Sequence, residues 1–269
     1  MGHFRDRRAF GNVGTRRFRG ARYGDGKSPR FTGLLDLYGG AAAAYSPLAL
    51  TSEHVSSLPT IYAQRDSDEA LLAFTQQGII GGDLESWSQG GDVYVYTYYD
   101  QSGSGNNLTQ ATRANQHKIV SGGELIKQQE SVACVSTGTS FYNFDSDVVL
   151  SGEYSIFSVV EYGVGGNGAL LGNSAGNNPR MRVVSTSSEW EMLGTAGEAN
   201  ISIGWDNSRY RLASIRTASG DTSGYVRAFQ RGATVNQGGS FTFNVAFSRN
   251  SGIDSIDGKI QALIIYASD

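Results

Sequence analysis

The chain has 269 residues with 36 glycines, 14 tyrosines and 12 phenylalanines but only 4 prolines, and charged residues are 17% of it against about 25% in an average globular protein. Glycine without a three-residue period excludes a collagen-like rod, scarce Lys and Glu argue against a helical bundle, and Cys134 as the only cysteine excludes an intrachain disulfide or a cysteine-based zinc site. The formal charge of -3 divides unevenly: residues 1–30 hold eight Arg and one Lys against Asp6 and Asp25, a net +7, and the rest of the chain carries -10.

Residues 1–30 alternate Arg, Gly and Phe with little apolar periodicity, and MGHFRDRRAF lacks the apolar stretch of a secretory signal. The expectation is an extended basic arm that anchors the subunit in an assembly. Arg7, Arg8, Arg16, Arg17 and Arg19 would make bidentate contacts while Phe4, Phe10 and Phe18 fill pockets. Interspersed glycine and aromatics do not specify DNA or RNA, so nucleic acid is not the expected partner. No run of about 18 apolar residues points to a membrane.

Further on, AAAAY (41–45) reads as one helical turn stopped near Pro47. Ser67 reads as a cap for a helix over DEALLAF (68–74), with acidic residues in its first turn and Gly78 beyond its end. From Val93 the pattern becomes β. VYVYTYY (93–99) alternates, and runs of similar length follow at 155–162, 180–185, 209–217, 224–230, 240–248 and 258–267, separated by turn sequences such as SGDTSG and NSG. This spacing predicts an all-β, two-sheet antiparallel jelly-roll sandwich over residues 31–269, preceded by the arm. Its inward faces should include Val93, Val95, Ile156, Val159, Leu212, Ile215, Phe243, Val245, Leu263 and Ile265.

Two nucleotide-binding patterns fail on context. Gly163, Gly165 and Gly168 match the dinucleotide fingerprint, but ALLGNSAGNNP after them cannot supply the helix whose N-terminus would meet a pyrophosphate. ARYGDGKS (21–28) fits a relaxed phosphate loop, yet no strand precedes it and Pro29 follows.

The stretch LLDLYGGAAAAYS (34–46), then DEALLAF, then VYTYYDQSGSGNNLTQATRANQHKIV (95–120) resembles the N-terminal half of the catalytic domain of the α-L-arabinofuranosidase B family. The same block is found in lectin-like modules of bacteriophage structural proteins. The resemblance implies a concanavalin A-like sandwich carried on a phage particle and assembled in the host cytoplasm, as a tail-fibre, receptor-binding or head-decoration subunit. Its expected partners are other virion proteins, through the arm, and cell-surface or environmental glycans, with the subunit itself a homo-oligomer. Alternatives are an arabinofuranosidase-like hydrolase and a purely structural capsid or tail protein. The family's adjacent cysteine pair has no counterpart here, so the expectation is recognition without catalysis and without a cofactor.

Within that block, Tyr98, Tyr99, Asp100, Gln101, Asn106 and Asn107 are candidates for gripping a sugar, because rings stack on sugar faces and amides and carboxylates bond hydroxyls. The same residues also suit a rigid turn: Asp100 can accept backbone N–H groups, and Gly103 and Gly105 permit positive φ. Trp87, Trp190 and Trp205 are either stacking platforms or core. EWEM (189–192) places Glu189 and Glu191 on one strand face, as an acid/base pair or as plain surface carboxylates. Calcium is conceivable at Asp145, Asp147, or Asp254 with Asp257.

Overall fold

Side-chain alternation along VYVYTY turns Val93 and Val95 fully inward and leaves Tyr94 and Tyr96 partly exposed. Repeated along the chain, this pattern builds twenty-one strands, with α-helices of only four, five and six residues, among the described residues. The computed structural model describes residues 31–162, 168–176, 179–184, 189–194, 197–202, 211–218, 221–226, 229–236 and 239–267. The arm with Phe4, Arg7, Arg8, Phe10, Arg16, Arg17, Phe18 and Arg19 lies outside them, as do the glycine loop 163–167, Trp205 and the side chains of Trp190 and Leu212.

The strands form two antiparallel layers. In one, Tyr154–Tyr162 pairs with Arg211–Ala218 on one side and Gly258–Ala267 on the other. Asp221–Val226 and Phe229–Asn236 extend it beyond Arg211–Ala218, while Gly258–Ala267 also pairs with Ala43–Tyr45 and Cys134–Ser136. The second layer runs from Leu71–Phe74 through Ile61–Arg65, Val93–Tyr98 and Leu108–Thr109 to Tyr142–Leu150 and Phe241–Ala246. It continues through Gly168–Gly172, Arg180–Val184 and Glu189–Gly194 to Gly197–Ser202. Lys118–Ser121 pairs with both Val93–Tyr98 and Cys134–Ser136, which joins the ladders at one end.

The inner faces meet in one apolar cluster: Ile156, Ile215, Leu263 and Ile265 from the first layer, Val93, Leu171, Met181 and Phe243 from the second. Tyr154 and Phe241 touch edge to face across the layers, with ring centroids 5.8 Å apart. Of the predicted inward set, the described side chains are buried except Val159, which is partly exposed; Leu212 lies outside the described side chains. Burial alternates without a break along Tyr154–Tyr162, with Ile156, Ser158 and Val160 inside, so Val159, three positions from Ile156, falls on the other face.

Two helix expectations are corrected. Residues 68–74 form a turn and the edge strand Leu71–Phe74. Asp68 clasps Arg65 through bonds of 2.9 and 2.6 Å and accepts the Ala70 N–H, which closes a hairpin onto Ile61–Arg65. The short helices come later, at Gln76–Ile80 and Asp83–Ser88. Ala43–Tyr45 is a strand because its backbone is claimed on both edges, by Leu263–Ile265 on one and by Asp100 and Gln101 on the other. Tertiary hydrogen bonding overrides alanine's helix propensity.

Candidate functional site

The YDQSGSGNN segment is a rigid connector between Val93–Tyr98 and Leu108–Thr109. Asp100 is 8% exposed, and its Oδ1 accepts the N–H of Ala44 at 2.9 Å and of Ser102 at 3.0 Å. Its Oδ2 accepts the hydroxyls of Ser102 at 2.8 Å and Ser104 at 2.6 Å. Gln101 is 2% exposed and ties the segment to residues 46–50, bonding Ser46 O, Leu48 O and Leu50 N. Asn107 Oδ1 accepts the Asp100 N–H, and Asn106 makes a two-way amide clasp with the backbone of Ser146 at 2.8 Å each way.

Tyr98 is buried against His117, Tyr142 and Phe247, with its hydroxyl 2.9 Å from His117 Nδ1. Burial alone lowers the His117 pKa to about 3, so the ring is neutral, and it pushes the neighbouring Cys134 thiol up to about 12. Tyr99 is partly exposed beside Tyr62. A hollow of about 280 Å³ at the rim is lined by Ser104, Asn106, Ser146 and Asp147.

Trp87 lies elsewhere, half buried edge-on to Phe74 at 5.4 Å with the Arg65 guanidinium 4.9 Å from its ring centre. Glu191 is 5% exposed and ion-paired to Arg180 and Arg182. Burial pushes its pKa up, but the two arginines outweigh this and hold the carboxyl below its ordinary value. A carboxylate held ionised in this way is structural and poorly suited to proton donation. Asp254 is shared by Arg182 at 2.5 Å and Arg249 at 3.2 Å, and Asp145 accepts from Asn107 Nδ2. Among the described residues no group of three or more His, Cys, Asp or Glu is placed to hold a metal ion.

The structure brings together a different set of residues. Register aligns Tyr94, Lys118 and Val135 side by side across three strands, with Gln64 next to Tyr94. Tyr94, Lys118 and Val135 line an outer groove of about 440 Å³, whose lining also includes Arg113, Gln116 and Thr137. Arg113 and Lys118 stand over the Tyr94 ring, at 5.8 and 5.5 Å from its centre. Lys118 is bonded to Asp92, which holds its pKa above the ordinary value and keeps it charged. Gln116 donates to Gln64 Oε1 and Gln110 O, but its own Oε1 has no hydrogen-bond partner. The signal was present in VYVYTYY: alternation alone puts Tyr94 and Tyr96 opposite the core valines. Arg113, Gln116 and Val135 join them only through pairing between distant segments. A second outer groove of about 520 Å³ is almost wholly apolar, lined by Leu34, Tyr38, Phe157, Val159, Ile264 and Tyr266, and offers few groups to orient a hydroxylated ligand.

Among solved structures, the chain is similar to an arabinofuranosidase complexed with arabinofuranosyl-alpha-1,2-xylobiose, with TM-score 0.54 and 13% identity over 85% of this chain and 60% of that one. It is similar also to a GH54 a-l-arabinofuranosidase soaked with a cyclic sulfate inhibitor, with TM-score 0.51 and the same identity and coverage. The chain thus spans about three fifths of the length of these structures. No family model and no curated protein matches the sequence. The likeness shows the fold: an all-β sandwich that is also present in these arabinofuranosidase structures.

Proposed function

We propose that the chain is a bacteriophage virion subunit whose β-sandwich binds glycans through the Tyr94 groove. The observation that carries the binding is the groove's composition: one partly exposed aromatic ring and two cations on a sheet face. An aromatic platform supplies apolar contact to a sugar face, and a few fixed polar groups orient the hydroxyls. The virion assignment is supported by the resemblance of residues 34–46, 68–74 and 95–120 to modules of phage structural proteins. The basic arm suits docking on an acidic neighbour. Weak binding at each groove is multiplied by the copies on one particle.

The function is recognition without bond cleavage. The test is a glycan array probed with the full chain, paired with a chromogenic arabinofuranoside assay. The expected result is selective retention of a glycan class and no turnover. Turnover would replace recognition by hydrolysis, and an empty array would leave a purely structural subunit.

A further inference from the structure

Every charged side chain lining the Tyr94 groove is a cation. Arg113 and Lys118 are its two charged lining residues, and no carboxylate is among the described residues that form its wall. The partners of these two cations, Asp66 and Asp92, balance the formal charge of the cluster, so what the groove wall offers an anion is cationic hydrogen-bond donors. The acidic partners Asp66 and Asp92 do not line the groove. A guanidinium has five donors and an ammonium three, so one ion pair leaves donors on each for a ligand. The Arg113 side chain keeps 41% of its surface exposed and Lys118 keeps 31%. Both cations stand over the Tyr94 ring, so a sugar on that ring would bring a ring substituent within their reach.

We infer that the groove selects anionic saccharides, with a carboxylate or sulfate ester met by Arg113 and Lys118 while the sugar ring packs on Tyr94. This rests on the glycan-binding reading above and adds the charge class of the ligand. Planar bidentate donation suits Arg113 to either oxyanion, and Lys118 acts as a point charge.

The experiment titrates the full chain with three probes: trigalacturonate, its methyl triester, which keeps the skeleton and loses the charge, and a trisulfated trigalactose. At low salt at least one anionic probe should bind tenfold or more tighter than the ester. The gap should narrow as salt rises, because partly exposed charges are screened. Arg113→Gln and Lys118→Gln should each shrink the gap, and melting curves of both variants verify the fold. Preference for trigalacturonate identifies a carboxylate ligand, and preference for the sulfated probe identifies a sulfate ester. Equal binding of ester and acid, or a gap that survives both substitutions, overturns the charge selection and leaves glycan binding standing. No binding of any probe overturns the inference, and the array then judges the glycan reading separately.

Discussion

Asp100 is the residue on which the connector between two strands depends, because it gathers three backbone N–H groups, of Ala44, Ser102 and Asn106, and two hydroxyls. Asp100→Ala strands the buried Ala44 N–H. It should cost about 2–4 kcal/mol in urea unfolding, given about 1–3 kcal/mol for each buried group left unpaired; parent-like stability would show that the turn holds itself. Asn106 was the harder residue to read. Its amide suits a sugar as well as a backbone clasp, and only its placement opposite Ser146, forty positions away, decides for the clasp. His117 gives a pH signature. Its folded pKa of about 3 lies below the unfolded value of about 6.5, so the unfolded chain binds the extra proton between them. This contribution is complete above pH 6.5 and is lost as pH falls toward 3, up to about 5 kcal/mol. Stability measured against pH should therefore fall less steeply between pH 6.5 and 4 in His117→Phe than in the parent, and equal slopes would contradict a neutral buried ring.

At the scale of elements, strand contact leaves no room at Gly172 of Gly168–Gly172: a Cβ there would lie 2.1 Å from the backbone oxygen of Arg249. Gly172→Ala should destabilise at or beyond the ~3 kcal/mol upper end of ordinary overpacking. Gly105, in open space with φ of +76°, should lose only about 1–2 kcal/mol on replacement by Ala. Thermal melts of the two variants check the order. YSIFSVVEY was legible because period-two alternation is a local property, and GKIQALIIYA was legible as an apolar run; the run read at 224–230 is divided between Asp221–Val226 and Phe229–Asn236, and SGDTSG, read as a turn, lies partly in the first of these. DEALLAF was not legible, because its acidic start and leucines satisfy a helix pattern, while the Arg65–Asp68 clasp that makes it a hairpin depends on the preceding strand. The groove was legible only in part: Tyr94 is marked by alternation, but Lys118 and Val135 reach it through register that no local pattern encodes.

On the whole-molecule scale, the core of the sandwich is drawn, among the described residues, from residues 43–265. A chain beginning at Phe31 should therefore melt as a single cooperative unit close to the parent. Under the virion reading it should also fail to join its assembly, whereas normal incorporation would remove the anchor role from residues 1–30. The central claim is that glycans bind at the Tyr94 groove and that the YDQSGSGNN connector is structural. It is tested most directly by titrating one array-selected oligosaccharide into the parent, Tyr94→Ala and Asn106→Ala, with a melting temperature for each. The account predicts that Tyr94→Ala melts like the parent and loses at least tenfold in affinity, while Asn106→Ala melts lower and keeps its affinity when folded. The reverse pattern, with affinity lost at Asn106 and kept at Tyr94, would contradict it.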